Sequence, residues 1–375
     1  MSTAILVLED GTILKGSGFG YPGEVAGEVV FNTGMVGYTE ALTDPSYSGQ
    51  ILTQTYPLVG NYGVPPYSLT DEFGMPLHFE SNRIQVKGYV VSRLSRTPSH
   101  WSVKKSLHEW MFENKIPGIE SIDTRFLTKK LRMKGVMLGI LKVFEEDERV
   151  DLKEYEEKAK GIPNPNETNL VENVTIDSPI GYESGNSLRV VVIDCGVKFG
   201  ILRNLLKRKV DVIRVPFETS LKEILSLEPD GVLISNGPGD PKMCRKTIKT
   251  LGALIEMDIA TMGICLGNQL LALAAGGDTY KLKFGHRGQN HPCIDLRTKK
   301  CYMTSQNHGY AVEPKSLEKT KFEVSFINAN DKTIEGIKHR NKSICGVQWH
   351  PEGPGPLETE FLFDQFLEVI KNTNR

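Results

Sequence analysis

Between residues 188 and 277 the sequence repeats one unit, a short continuous apolar run followed by an amphipathic stretch. "RVVVIDCG", "DVIRVPF", "DGVLISNGPGD" and "IATMGI" are the runs; "ILRNLLKRK", "LKEILSLE", "RKTIKTLGALIEM" and "GNQLLALAAGG" follow them. A strand that is apolar on both faces must be covered on both, and a helix after each strand supplies the cover. The spacing therefore predicts an α/β fold with a doubly wound, mainly parallel sheet over residues 188–375.

The N-terminal part reads differently. "AILVLEDGTILKG" places Asp10-Gly11 between two apolar stretches, a hairpin signal because that pair tolerates a tight turn. "GEVVFNTGMVGY" and "IQVKGYVVSRL" read as further strands, and "SHWSVKKSLHEWMFEN" as a helix with Val103, Leu107, Trp110 and Met111 on one face. Asp123 is placed to cap a second helix ending at Gly135. Residues 1–150 are thus expected to form a smaller mixed α/β domain. Residues 151–187, charged and then rich in turn formers ("IPNPNE", "YESGNS"), read as a linker.

At 375 residues with 39% hydrophobic and 24% charged content, the chain can bury substantial cores. A formal net charge of -1 without a long basic run leaves no nucleic-acid footprint. "MSTAILVLEDG" lacks the features of a secretory leader, and no apolar run approaches the ~20 residues of a membrane span. The 6 cysteines lack CxxC pairs, against a disulfide framework or a zinc site. A cytoplasmic, reduced protein is expected.

One cysteine stands apart. In "TMGICLGNQLLALAAGG" Cys265 sits between glycines where a strand gives way to a helix. That form matches a nucleophile elbow with sulfur in place of oxygen. The helix N-terminus would favour thiolate over thiol, and the Leu266 N–H would face a developing oxyanion. A buried cysteine in a core strand fits this stretch equally well. "GVQWHPEG" supplies His350 and Glu352, two apart; in extended backbone, which Pro351 favours for His350, both face the same side. The carboxylate would then orient an imidazole toward sulfur. "SNGPGDP" follows another apolar strand, and its Gly239 N–H is a candidate second oxyanion donor, although Gly-Pro-Gly-Asp is also an ordinary turn.

"SNGPGDP", "GICLGNQ" and "VQWHPE", in this order on this alternation, resemble the class I glutamine amidotransferases. "GEVVFNTGMVGYTEALTDPSYSGQILTQTYPLVGNYG" at 27–63, with "SQNHGYAV" at 305–312, is similar to the small chain, or glutaminase domain, of glutamine-hydrolysing carbamoyl-phosphate synthetases. The resemblance covers nearly all of the chain apart from the linker. It implies that Cys265 attacks the side-chain amide of glutamine, His350 shuttles protons and Glu352 orients it. It implies further that Ser46, Gly237, Gly239, Leu266, Gln269, Asn307, Gly309 and Tyr310 hold glutamine or the oxyanion, with glutamine bound between the domains. Asn268 stands where many relatives have histidine. No metal or cofactor is expected in this chain, since ATP and Mg belong to a synthetase partner that makes carbamoyl phosphate from bicarbonate and the released ammonia. That partner is a separate large subunit or the rest of a longer polypeptide; "DEFG" and "TPSHWS" look more like the fused forms.

Other polar residues carry plainer readings. Cys195, Cys244, Cys293, Cys301 and Cys345 lack the glycine turn and helix start and read as structural. His286 and His291 share a loop without ligand-spaced partners, which favours structural contacts over a metal. Lys198 reads as a solvated helix start. Two other functions stay open: a weakly catalytic module that docks on a synthetase, and a thiol hydrolase acting on γ-glutamyl substrates. The motif at 27–63 argues against the second, and the presence of both Cys265 and His350 against the first.

Overall fold

The computed structural model of the chain describes residues 2–145, 148, 151–185, 188–257, 259–353 and 359–373. These divide into two compact units that meet in sequence at Thr168 and Asn169.

The first unit runs β1 (Thr3–Leu8), β2 (Ile13–Gly20), β3 (Gly23–Asn32), α1 (Tyr38–Thr43), β4 (Gln50–Gln54), β5 (Leu58–Val59), β6 (Gly88–Val90), β7 (Arg93–Leu94), α2 (Leu107–Glu113), β8 (Pro117–Glu120), α3 (Thr124–Lys134), β9 (Met137–Val143) and α4 (Leu152–Lys160). Seven strands close into a barrel in the order β1-β2-β8-β6-β4-β3-β9, while β5 and β7 pair separately. A closed barrel leaves no unpaired edge. The Asp10-Gly11 turn joins β1 to β2 as expected, with Val7 opposite Ile13.

Two expectations change here. The helix foreseen from residue 99 starts only at Leu107, because Ser106 and Glu109 close a capping box there; Trp101 lies outside it, 83% exposed. The segment foreseen as a linker begins with α4, whose Tyr155 and Ala159 are buried against Ile5, Val7, Ile140 and Phe144. Charge on three sides of that helix masks a narrow apolar stripe, which is all that a cover over the barrel needs.

The second unit runs β10 (Ile180–Tyr182), β11 (Arg189–Asp194), α5 (Phe199–Lys207), β12 (Asp211–Pro216), α6 (Leu221–Ser226), β13 (Gly231–Ile234), α7 (Arg245–Glu256), β14 (Ala260–Ile264), α8 (Leu266–Ala274), β15 (Thr279–Asp295), β16 (Cys301–Val312), α9 (Pro314–Leu317), β17 (Phe322–Asn328), β18 (Ile334–His339), β19 (Ile344–Val347) and α10 (Phe361–Thr373). One sheet takes the order β10-β12-β11-β13-β14-β19-β18-β17-β15-β16. From β12 to β19 all pairings are parallel. The others are antiparallel, so the sheet is mixed rather than mainly parallel. Loop length explains the difference: β15–β16, β17–β18 and β18–β19 are joined by connections too short for a crossover, which forces antiparallel pairing. Val191, Ile193, Val232 and Ile234 pack with Leu251, Leu254, Leu270 and Leu271 in one buried cluster, as the alternating pattern requires. Among the described residues no helix is long and apolar enough to cross a membrane.

Candidate active site

β14 ends at Ile264 and α8 begins at Leu266, which leaves Cys265 alone at the junction with φ 54° and ψ -102°. Such backbone costs a non-glycine residue about 1–3 kcal/mol and persists only where its surroundings enforce it. Here the Cys265 N–H donates to Val347 O at 2.8 Å and the Gly267 N–H to Ser235 O at 3.1 Å. A Cβ on Gly267 would overlap Ile234 O, and one on Gly263 would fall against the Gly267 backbone. The strand end and the helix start thus touch backbone to backbone, and the cysteine has nowhere to relax. Leu266, the first helical residue, has an N–H without an intrahelical acceptor. The Cys265 sulfur lies 3.6 Å from Asn307 O and 3.6 Å from Gln348 Nε2.

His350 and Glu352 meet as the spacing predicts, with Nδ1 and Oε1 2.7 Å apart. The backbone that achieves this is not the extended run foreseen. His350 forms one bridge to Ser305, after which the chain turns and the Gly353 N–H donates back to His350 O. A turn brings residues i and i+2 together as effectively as a strand. Both side chains are buried, at 2% and 0% exposure.

Lys198 is the correction with most consequence. Instead of a solvated helix start it is a buried cation, its Nζ 3.0 Å from Glu352 Oε1. Burial would raise the Glu352 pKa, but the Lys198 and His350 charges hold it well below the usual carboxylate range. Burial would lower that of His350, yet the Glu352 charge more than offsets it and the imidazole pKa is raised. The remaining ring nitrogen, Nε2, is buried without a hydrogen bond among the described residues, and the Cys265 side chain raises the His350 pKa further. Sequence offered no signal for Lys198, because its partner lies 154 residues away.

Of the residues expected to hold glutamine or the oxyanion, all but Ser46 belong to the second unit, as Cys265 and His350 do. Gly237 packs on Leu266, where a Cβ would meet Leu266 Cδ2. Gly239 has φ +84°, in the loop after β13. Buried Ser235 and Asn236 tie that loop to the end of β11, accepting the Cys195 and Lys198 N–H groups at 2.9 and 3.2 Å. Gln269, on the first turn of α8, donates to Tyr310 O at 2.8 Å. Asn307, Gly309 and Tyr310 lie on β16. Ser46 belongs to the first unit, in a tight turn at Pro45–Tyr47 where Asp44 Oδ1 accepts its N–H at 2.9 Å.

Cys195, Cys244 and Cys293 are buried, as Cys265 is, but among the described residues Cys265 alone of the cysteines has a positive φ. Burial pushes the Cys195 thiol well up, that of Cys244 to about 12 and that of Cys345 to about 11. His286 and His291 lie within β15 rather than in a loop, and His286 finds carboxylate partners outside that strand. Its Nε2 is 2.8 Å from Asp331 and its Nδ1 3.5 Å from Glu335. His286, His308 and Glu335 present atoms within 4.8 Å of one another. His308 bonds Tyr310 O and Gln306 Oε1, and Glu335 accepts from Gln306 and Asn328, while His286 Nδ1 faces Glu335 and has no hydrogen bond among the described residues. The group is a buried hydrogen-bond network across β15, β16 and β18.

Two families account for most of the chain. Residues 6–141 match the carbamoyl-phosphate synthase small chain domain, and residues 191–369 match glutamine amidotransferase class-I. The carbamoyl phosphate synthase small chain of Methanocaldococcus jannaschii is 50% identical over 98% of this chain and 98% of its own length. That of Methanopyrus kandleri is 48% identical over 98% and 99%. The chain belongs to the carbamoyl phosphate synthase small chain family. It is an enzyme component, the glutaminase part of a carbamoyl phosphate synthase. Multifunctional protein CAD of Squalus acanthias is 46% identical over 98% of this chain, a match that spans 16% of that longer protein. In this family frame the strained cysteine, the buried imidazole and the carboxylate behind it fall in the amidotransferase domain.

Proposed function

We propose that this chain hydrolyses L-glutamine to glutamate and ammonia through a thioester on Cys265, and that it passes the ammonia to a synthetase partner. The observation that carries this reading is the enforced positive φ at Cys265, beside an imidazole whose far nitrogen is bound to Glu352. The thiolate attacks the amide carbon, and the N–H groups of Leu266 and Gly239 stabilise the oxyanion. His350 protonates the departing nitrogen, which leaves as ammonia. The same imidazole then takes a proton from water, whose oxygen attacks the thioester; the sulfur leaves as thiolate, glutamate departs and the thiolate–imidazolium pair is restored. Glu352, with Lys198 behind it, keeps His350 oriented and favours its cationic form at the stages where the imidazole carries the proton. Gln269, Asn307, Gly309 and Tyr310 recognise the ammonium and carboxylate of glutamine, and Gly237 shapes the wall beside Leu266.

The reaction needs no metal or cofactor from this chain. Carbamoyl phosphate forms on the partner, a large subunit or a fused synthetase region, from bicarbonate, ATP with Mg, and the ammonia delivered. Cytoplasmic location fits the free thiols. The N-terminal residues 1–150 act as the small-chain domain and residues 188–375 as the amidotransferase domain, with the parallel half of its sheet as a doubly wound core.

The test compares the parent chain with Cys265→Ala for glutamine hydrolysis. Loss of about 10³-fold or more in kcat/KM is expected, the scale of removing a covalent nucleophile. Undiminished hydrolysis by Cys265→Ala would overturn the assignment. Faster turnover of γ-glutamyl peptides than of glutamine would point to a hydrolase of another specificity.

A further inference from the structure

We propose that Gln348 is a positioning residue for the nucleophile, its side-chain N–H holding the Cys265 sulfur as thiolate. This rests on the reading of Cys265 as the nucleophile. Gln348 is fully buried just beyond β19, with its backbone N–H donating to Glu335 O at 2.7 Å. Its side-chain oxygen accepts from Gln269 Nε2 at 3.2 Å and from Asn268 Nδ2 at 3.5 Å, both on α8. Its nitrogen faces the Cys265 sulfur at 3.6 Å.

The orientation of this amide is fixed by a chain of bonds that begins at a backbone carbonyl. Tyr310 O can only accept, so the Gln269 group 2.8 Å from it is the NH₂. That same NH₂ reaches Gln348, which must therefore present its oxygen to α8 and its N–H groups to sulfur. A flipped Gln348 would set donor against donor on one side and oxygen against sulfur on the other.

The two polar neighbours of the sulfur then sort its protonation states. A thiol donates to Asn307 O; a thiolate is repelled by that carbonyl and attracted by the Gln348 N–H. The charged groups on this side of the sulfur are His350, with Glu352 and Lys198 in line behind it. Gln348 adds a neutral donor from another direction, so the anion is held on the line of attack rather than drawn wholly onto the imidazole. Because Gln269 bonds both Tyr310 O and Gln348, the strand expected to hold glutamine is linked to the nucleophile through two amides.

The experiment is the pH profile of kcat/KM for glutamine hydrolysis by the full chain with its synthetase partner, in the parent, Gln348→Met and Gln348→Glu. Gln348→Met keeps the volume and loses the donor. Its acidic limb should move up by about one pH unit, giving about tenfold lower kcat/KM near neutrality that recovers on the alkaline side. Gln348→Glu keeps the shape and replaces the donor by an anion; its limb should move further, and it decides the matter if the methionine variant fails to fold. Acidic limbs that stay at the parent position overturn the proposal, and a fall uniform across pH assigns Gln348 a packing role instead. A Cys265→Ala control separates the outcomes, since activity retained there refutes the nucleophile itself.

Discussion

At the scale of single residues, chemistry depends on three charges stacked behind one sulfur. Glu352 serves two cations from one buried oxygen, 2.7 Å from His350 and 3.0 Å from Lys198. Glu352→Gln removes the charge that raises the His350 pKa. The alkaline limb of kcat/KM should therefore move to lower pH, with kcat reduced by about 10²-fold or more, as when an orienting carboxylate is neutralised elsewhere. Titration of the activity measures this, and an alkaline limb that stays in place would contradict it. The variant should also lose about 3–5 kcal/mol of stability, because it removes the buried charge that Lys198 and His350 share. Cys265, His350 and Glu352 were all legible in the sequence, since each sits in a local pattern of glycine or proline. Lys198 and Gln348 were not, because their meaning lies in contacts made across more than 80 residues.

Elements position these side chains by contact without side-chain padding. Gly267→Ala puts a methyl group onto Ile234 O at the crossing of α8 and β13. A loss of about 1–3 kcal/mol is expected, with a fall in glutaminase activity as the elbow shifts. Gly181→Ala on β10, where nothing lies within 4 Å, serves as the neutral control in thermal melts. The network across β15, β16 and β18 carries a pH signature. Burial would lower the His286 pKa, but Asp331 and Glu335 raise it from 6.5 to about 9. Its contribution is complete below the unfolded value near 6.5 and fades as pH rises through about 9. His286→Asn should thus cost on the order of 1–3 kcal/mol at pH ~6 and little by pH ~10. Urea unfolding at the two pH values reads this, and a gap that widened with pH would contradict it. Periodicity revealed the parallel strands because they are apolar on both faces. It could not reveal the mixed sheet, whose hairpins are set by loop length, or α4, whose stripe is two residues wide.

For the whole molecule, the sequence already held both family signatures, one in each half, and the structure gives each half its own core. What single-chain patterning could not convey was closure of the first unit into a barrel, because alternation reports faces and not which strands pair last. With a synthetase partner supplied, Cys265→Ala should abolish carbamoyl phosphate formation from glutamine while leaving formation from added ammonia intact. Failure of both would mean that the cysteine supports the assembly rather than the chemistry. The most direct measurement is peptide mapping of the chain after a brief reaction with labelled glutamine and an acid quench. The account predicts a glutamyl group esterified to the Cys265 sulfur, absent in Cys265→Ala. Steady turnover with that sulfur never labelled, or with the label on another residue, would contradict it.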